Sequence, residues 1–188
     1  MTIAVAFVVG YLLGSVSPAT LLARRAGADL RASGSGNPGA TNIGRVLGRK
    51  VGILVGLLDV AKGALPAAAF GLIDHRAGLV AGLAATLGHI TSPWLRGHGG
   101  KGVATAAGAI LGSHPLWVPV VLTTWLVALG LTRWVAFASC AAAAAVPVAA
   151  LVVRSSGLDV AWALLLAALV VTRHRSNFAR WRAARRAP

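Results

Sequence analysis

The sequence contains no glutamate, and its only carboxylates are Asp29, Asp59, Asp74 and Asp159. It has one cysteine, one methionine and one tyrosine in 188 residues. With five scattered histidines and so few acids, no metal-ligand constellation is legible. No Ser-His-acid set is legible either. The lone Cys140 lies in the apolar run from Ala136 to Ala145, where an internal disulfide is excluded and packing is its expected role. Also missing are an internal repeat, a disordered linker and any His followed five positions later by Asp.

What fills the chain is apolar. Hydrophobic residues make up 57% of it and charged residues 12%, a balance that a water-soluble core does not explain. Apolar runs at 2–23, 51–73, 77–95, 103–113, 115–131, 134–153 and 157–172 predict an all-α, polytopic membrane bundle of about seven helices. The runs at 103–113 and 115–131 are short enough to form one bent helix or a re-entrant pair. Residues 1–188 read as a single membrane domain.

The net charge of +14 belongs to the connections between these runs. The first run lacks a basic leader and is followed by Arg24 and Arg25, so it reads as a retained anchor with its N-terminus outside. Threading seven spans from there leaves Arg76 and Arg154 outside, Lys62 within a span and the other 15 basic residues inside. The C-terminus then lies on the cytoplasmic side. No basic helix or aromatic-interleaved patch supports nucleic-acid binding. The last segment, from Arg173 onward, reads as an extension of the final helix along the lipid surface.

Three polar segments share the cytoplasmic face in this threading. The first, Ser33 to Arg45, is rich in glycine and holds Ser35, Gly36, Asn37, Thr41 and Asn42. Such a loop turns backbone N–H groups toward an anion. Asn37-Pro38 predicts a helix start that places Thr41 and Arg45 on one face. The second segment contains His89 and then Arg96 to Thr105, with Gly99, Gly100 and Lys101 at the start of an apolar helix. That helix N-terminus makes a second anion site. In the third, His174 and Asn177 stand at i, i+3 spacing.

Asp59 and Lys62 fall inside the second apolar run, where an isolated ion costs about 2.5 to 3.5 kcal/mol on insertion scales. At i, i+3 they are expected to pair and to hold the polar site against the bundle. Gly34 to Gly39 and Gly97 to Gly102 both match G-x-G-x-x-G, but neither follows a strand, so the dinucleotide reading fails. Gly100-Lys101-Gly102 lacks the hydroxyl residue and upstream spacing of a P-loop.

Taken in order, the G-S-G-N-x-G-A-T-N-x-x-R loop, Asp59 to Gly63, the G-H then G-G-K-G-V-A-T segment and the terminal R-H-R-x-N resemble the bacterial acyl-phosphate:glycerol-3-phosphate acyltransferase family, PlsY. The resemblance covers essentially the full chain. It implies a seven-helix enzyme of the bacterial cytoplasmic membrane, its active site facing the cytoplasm. The implied reaction moves a fatty acyl group from acyl phosphate to glycerol 3-phosphate, giving lysophosphatidate and phosphate.

The resemblance further implies catalytic roles for Lys101, His174, Asn177 and Arg45, and substrate contacts at Ser35, Gly36, Asn37, Thr41, Asn42, His89, Gly99, Gly100 and Thr105. Asp59 and Lys62 support them. It implies no metal or organic cofactor, no nucleic acid and no obligatory protein partner. Two departures stand out: Gly97 and His98 replace an aromatic residue and a lysine, and Ala179 to Arg182 replaces a tail that ends in glutamate. The rival readings are a channel or transporter for a phosphorylated solute, which requires a polar path to the outer face, and a structural subunit, which leaves the glycine-rich loops unexplained.

Overall fold

In a computed structural model, which describes residues 1–186, every regular element is helical, the arrangement that satisfies backbone polar groups within the segment when lipid offers no partner. All seven apolar runs are helical. Among the described residues, five stretches are long and apolar enough to cross a membrane: Thr2–Arg25, Arg49–Gly71, Pro115–Thr132, Val135–Val152 and Gly157–Ala183. The chain divides into two compact units at Pro115 and Leu116.

The first unit holds α1 (Thr2–Ser15), α2 (Pro18–Arg25), α3 (Ala40–Leu47), α4 (Arg49–Gly71), α5 (His75–Ile90) and α6 (Val103–Ser113). The first apolar run is therefore two helices, not one. Val16 is extended, Ser17 caps α2 by accepting from the Thr20 N–H, and Pro18 occupies its first turn. Ser17-Pro18 is an N-cap and first-turn proline inside an apolar run, and those local signals prevail over the continuity of the run.

Helices of this unit meet at backbone distance because the residues between them are small. Gly10 and Gly14 of α1 face the Ala81 and Ala85 carbonyls of α5, and Gly88 of α5 faces the Tyr11 carbonyl. In the same way Gly63 of α4 sits against the Thr105 carbonyl of α6, and Gly108 of α6 against Val60 of α4. A side chain at any of these points meets main chain. Lipid gives apolar helices little reason to associate, so such close approach and its dispersion contacts hold the bundle. α5 is the most enclosed helix, with Ala77, Ala81, Ala84 and Ala85 almost fully buried.

The second unit contains α7 (Val118–Thr132), α8 (Val135–Val152), α9 (Gly157–Arg173) and α10 (Arg175–Arg186). A complete capping box starts α9: Ser156 accepts from the Asp159 N–H, and the Asp159 carboxylate accepts from the Ser156 N–H. Trp134, at the start of α8, stacks on Trp181 of α10 and meets Phe178 edge-on, with ring centroids 5.6 and 5.3 Å away. These contacts pin the basic helix α10, whose side chains are described through Ala183.

Candidate active site

In the first unit the glycine-rich segment between α2 and α3 is shaped by one side chain. Asn42, 1% exposed, accepts from the Ser35 N–H at 2.7 Å through Oδ1. Its amide nitrogen donates to the Ser33 carbonyl at 3.0 Å and to the Leu30 carbonyl at 3.3 Å. The amide group thus has its polar atoms engaged by the loop it organises. Helix α3 starts at Ala40 with Gly39 as its cap, two residues after the expected proline start. The cause is local: the Gly39 N–H turns back to the Asn37 carbonyl at 2.9 Å, and Gly39 then supplies the first helical acceptor, to Asn42 and Ile43. Thr41 and Arg45 are both exposed on α3, one turn apart, as the four-residue spacing requires. Ser35, Gly36 and Asn37 are half-buried beside them in sequence.

The second segment folds back on the helix that precedes it. The N–H groups of Gly99 and Gly100 donate to the Ile90 and His89 carbonyls, each at 3.0 Å, capping acceptors that the end of α5 leaves open. A Cβ on Gly99 would strike the His89 carbonyl, and one on Gly100 the His89 ring at Nε2. These two glycines are required by space. Lys101 follows directly, then Gly102 at φ +79°, in the left-handed region that favours glycine, and α6 begins at Val103. Lys101 is therefore delivered to the N-terminus of an 11-residue helix, where unpaired N–H groups and the helix dipole favour an anion. Thr105, in the first turn, is fully buried, and its hydroxyl has no hydrogen-bond partner among the described residues.

The two segments are tied together, since the Arg31 guanidinium donates to the His98 carbonyl. Arg31 is held in turn by its own N–H, which donates to Asp29 at 2.8 Å. Below the second segment, Ser92 donates to the Ser15 carbonyl at 2.6 Å and Trp94 Nε1 to Ser15 Oγ at 2.8 Å, fixing the loop to the end of α1. Neither Arg31 nor Ser15 stands out in the sequence; each is recognisable only by a partner more than sixty residues away.

Asp59 and Lys62 pair as their spacing predicts, Oδ1 to Nζ 2.9 Å. Two further contacts were not legible. Asp59 Oδ1 lies 3.5 Å from His89 Nδ1, and Lys62 donates to the Val16 carbonyl at 2.8 Å, where α1 ends. His89 is 8% exposed and packed into the end of α5.

In the second unit, His174 ends α9 and is buried. Its Nδ1 is 2.8 Å from the Val170 carbonyl. A carbonyl only accepts, so Nδ1 carries a proton. Asn177 lies in the first turn of α10, and its N–H donates to the His174 carbonyl at 2.9 Å.

Known proteins resemble this chain along almost all of its length. The family model described as glycerol-3-phosphate acyltransferase matches residues 4–184. A glycerol-3-phosphate acyltransferase of Geotalea daltonii is 43% identical, with 97% of this chain and 95% of the relative aligned. One from Geobacter sulfurreducens is 44% identical, with 93% and 91% aligned. Among solved structures, the glycerol 3-phosphate form of PlsY (YgiH), an integral membrane glycerol 3-phosphate acyltransferase, superposes with a TM-score of 0.91 at 35% identity, covering 98% of this chain and 94% of that one. Its lysophosphatidic acid form gives 0.89 at 34% identity, with the same coverage. From the glycine-rich loop to the terminal His-Asn pair, the chain belongs to the glycerol-3-phosphate acyltransferase family.

Proposed function

We propose that this protein is a membrane glycerol-3-phosphate acyltransferase that uses acyl phosphate as its donor and releases lysophosphatidate and inorganic phosphate. The observation that carries this reading is the paired construction of the two loops. One presents Arg45 on α3 and the other presents Lys101 at the N-terminus of α6, with Arg31 bonded between them. Both substrates are phosphorylated, and two cationic loops at one end of the unit suit two phosphates. The unpartnered hydroxyl of Thr105 is a buried donor of the kind that a ligand oxygen satisfies.

An acyl phosphate is a mixed anhydride with a good leaving group, so the protein has no need of a covalent nucleophile. The glycerol hydroxyl oxygen bonds to the acyl carbon, and the bond from that carbon to the phosphate oxygen breaks with its electron pair leaving on phosphate. The hydroxyl proton passes to His174 Nε2 or to the departing phosphate. Lys101 and Arg45 bind the phosphates, while Ser35, Gly36, Asn37, Thr41, Gly99 and Gly100 line the loops that receive them, and Asn177 is assigned to the developing oxyanion. Asn42 acts from inside its loop. The reading includes a single domain of seven spans in the bacterial cytoplasmic membrane, with the N-terminus outside and the loops and C-terminus cytoplasmic, as the distribution of basic residues favours. It needs no metal, organic cofactor or protein partner.

The test is lysophosphatidate formation by the detergent-purified chain from glycerol 3-phosphate with palmitoyl phosphate, palmitoyl-CoA or acylated carrier protein in parallel. Product with the acyl phosphate alone is expected. No product from any donor, in folded protein, overturns the reading.

A further inference from the structure

We infer that Asp59 is a positioning residue for Lys101, acting through His89. This rests on the assignment of Lys101 to a substrate phosphate. His89 touches the Lys101 segment twice: its carbonyl accepts from the Gly100 N–H at 3.0 Å, and its ring Nε2 lies against Gly100 where a Cβ would otherwise stand. The other ring nitrogen, Nδ1, is 3.5 Å from Asp59 Oδ1. A carboxylate there orients the imidazole with an N–H toward Asp59 and Nε2 toward Gly100, as carboxylates orient histidines around metal sites.

Asp59 is only 2% exposed, and a carboxylate enclosed to that extent needs a compensating charge. Lys62 provides it at 2.9 Å and anchors its own ammonium on the Val16 carbonyl at the break between α1 and α2. The cluster therefore joins three elements, α1, α4 and α5, to the two residues that precede Lys101. His89 is too enclosed to be read as a ligand first; the geometry makes it the brace of the loop, with Asp59 setting the angle of that brace.

A double-mutant cycle tests this on the purified enzyme with palmitoyl phosphate. Asp59→Asn keeps the shape and removes the charge. It is expected to lower kcat/KM about tenfold in the wild-type background and less than about twofold in the Lys101→Ala background, because residues acting through one another are not additive. Equal losses in both backgrounds, or no loss in either, overturn the inference. Hydrogen exchange supplies a readout independent of turnover. The peptide covering residues 96–103 is expected to exchange at least about tenfold faster in Asp59→Asn, with α6 beyond it unchanged. Unchanged protection at 96–103, or equal loosening of α6, overturns the inference. If Asp59→Asn is not recovered folded, His89→Gln carries both measurements. An inactive wild-type enzyme, or a Lys101→Ala variant of full activity, removes the substrate reading instead, and the exchange comparison then decides the brace by itself.

Discussion

Lys101 and Arg45 reach their places by different routes. Lys101 is set by backbone hydrogen bonds on both sides of a bend, while Arg45 is carried on the exposed face of a short helix whose preceding loop is held by Asn42. Each charge faces the loss typical of a removed charge-stabilising contact. Lys101→Ala and Arg45→Ala are each expected to lower turnover at least about a hundredfold in the acyl-phosphate assay, with unchanged thermal stability. Asn42→Ala acts differently. It leaves the Ser35 N–H and two carbonyls without their partner and is expected to destabilise the fold by about 1 to 3 kcal/mol, read as a lower unfolding temperature in detergent. Most cationic and hydroxyl candidates could be named from residue type and order alone. The internal role of Asn42 could not, because an amide in a glycine-rich loop reads equally as ligand or as clamp until its partners are known. Arg31, and the tie between His89 and Asp59, escaped for a related reason: they rest on contacts with residues distant in sequence or in another helix.

At the scale of elements, hydrophobic run length located the five described stretches that are long and apolar enough to cross a membrane, and the small residues inside the helices decide how they meet. Gly108→Val puts a branched side chain into the backbone of α4 at Val60 and is expected to abolish recovery of folded protein from detergent. Gly130, in the last turn of α7, has nothing near its would-be Cβ. Gly130→Ala is therefore expected to leave folding intact or to stabilise it by up to about 1 kcal/mol, the difference in helix propensity. Comparing the yields and melting temperatures of the two variants separates close packing from generic intolerance to bulk. Run length is blind to an interruption that keeps the chain apolar, which is why the break after Ser15 shows only in the local Ser17-Pro18 signal. The late start of α3 has the same origin: a tight turn at Gly39 outranks the helix preference of Pro38, the residue just before it.

For the whole molecule, the proposed threading puts Arg76 and Arg154 outside and the glycine-rich loops inside. In a Cys140→Ser background, Arg76→Cys and Arg154→Cys are expected to react with a membrane-impermeant thiol reagent added to intact cells, and Arg25→Cys only after lysis. Labelling of Arg25→Cys in intact cells would reverse the orientation. A consequence of depth follows from the brevity of α6. Its 11 residues rise about 16 Å, roughly half of the ~30 Å hydrocarbon layer. In the proposed threading, which puts His114 at the outer surface, Lys101 and the loop around it would lie well beneath the opposite headgroups. An acyl donor can then bring its anhydride to Lys101 while its tail stays in the hydrocarbon, avoiding the ~0.8 kcal/mol that each methylene would cost on transfer to water. The water-soluble acceptor travels inward instead, which is the cheaper journey for a small polyol phosphate than the outward one is for a fatty chain.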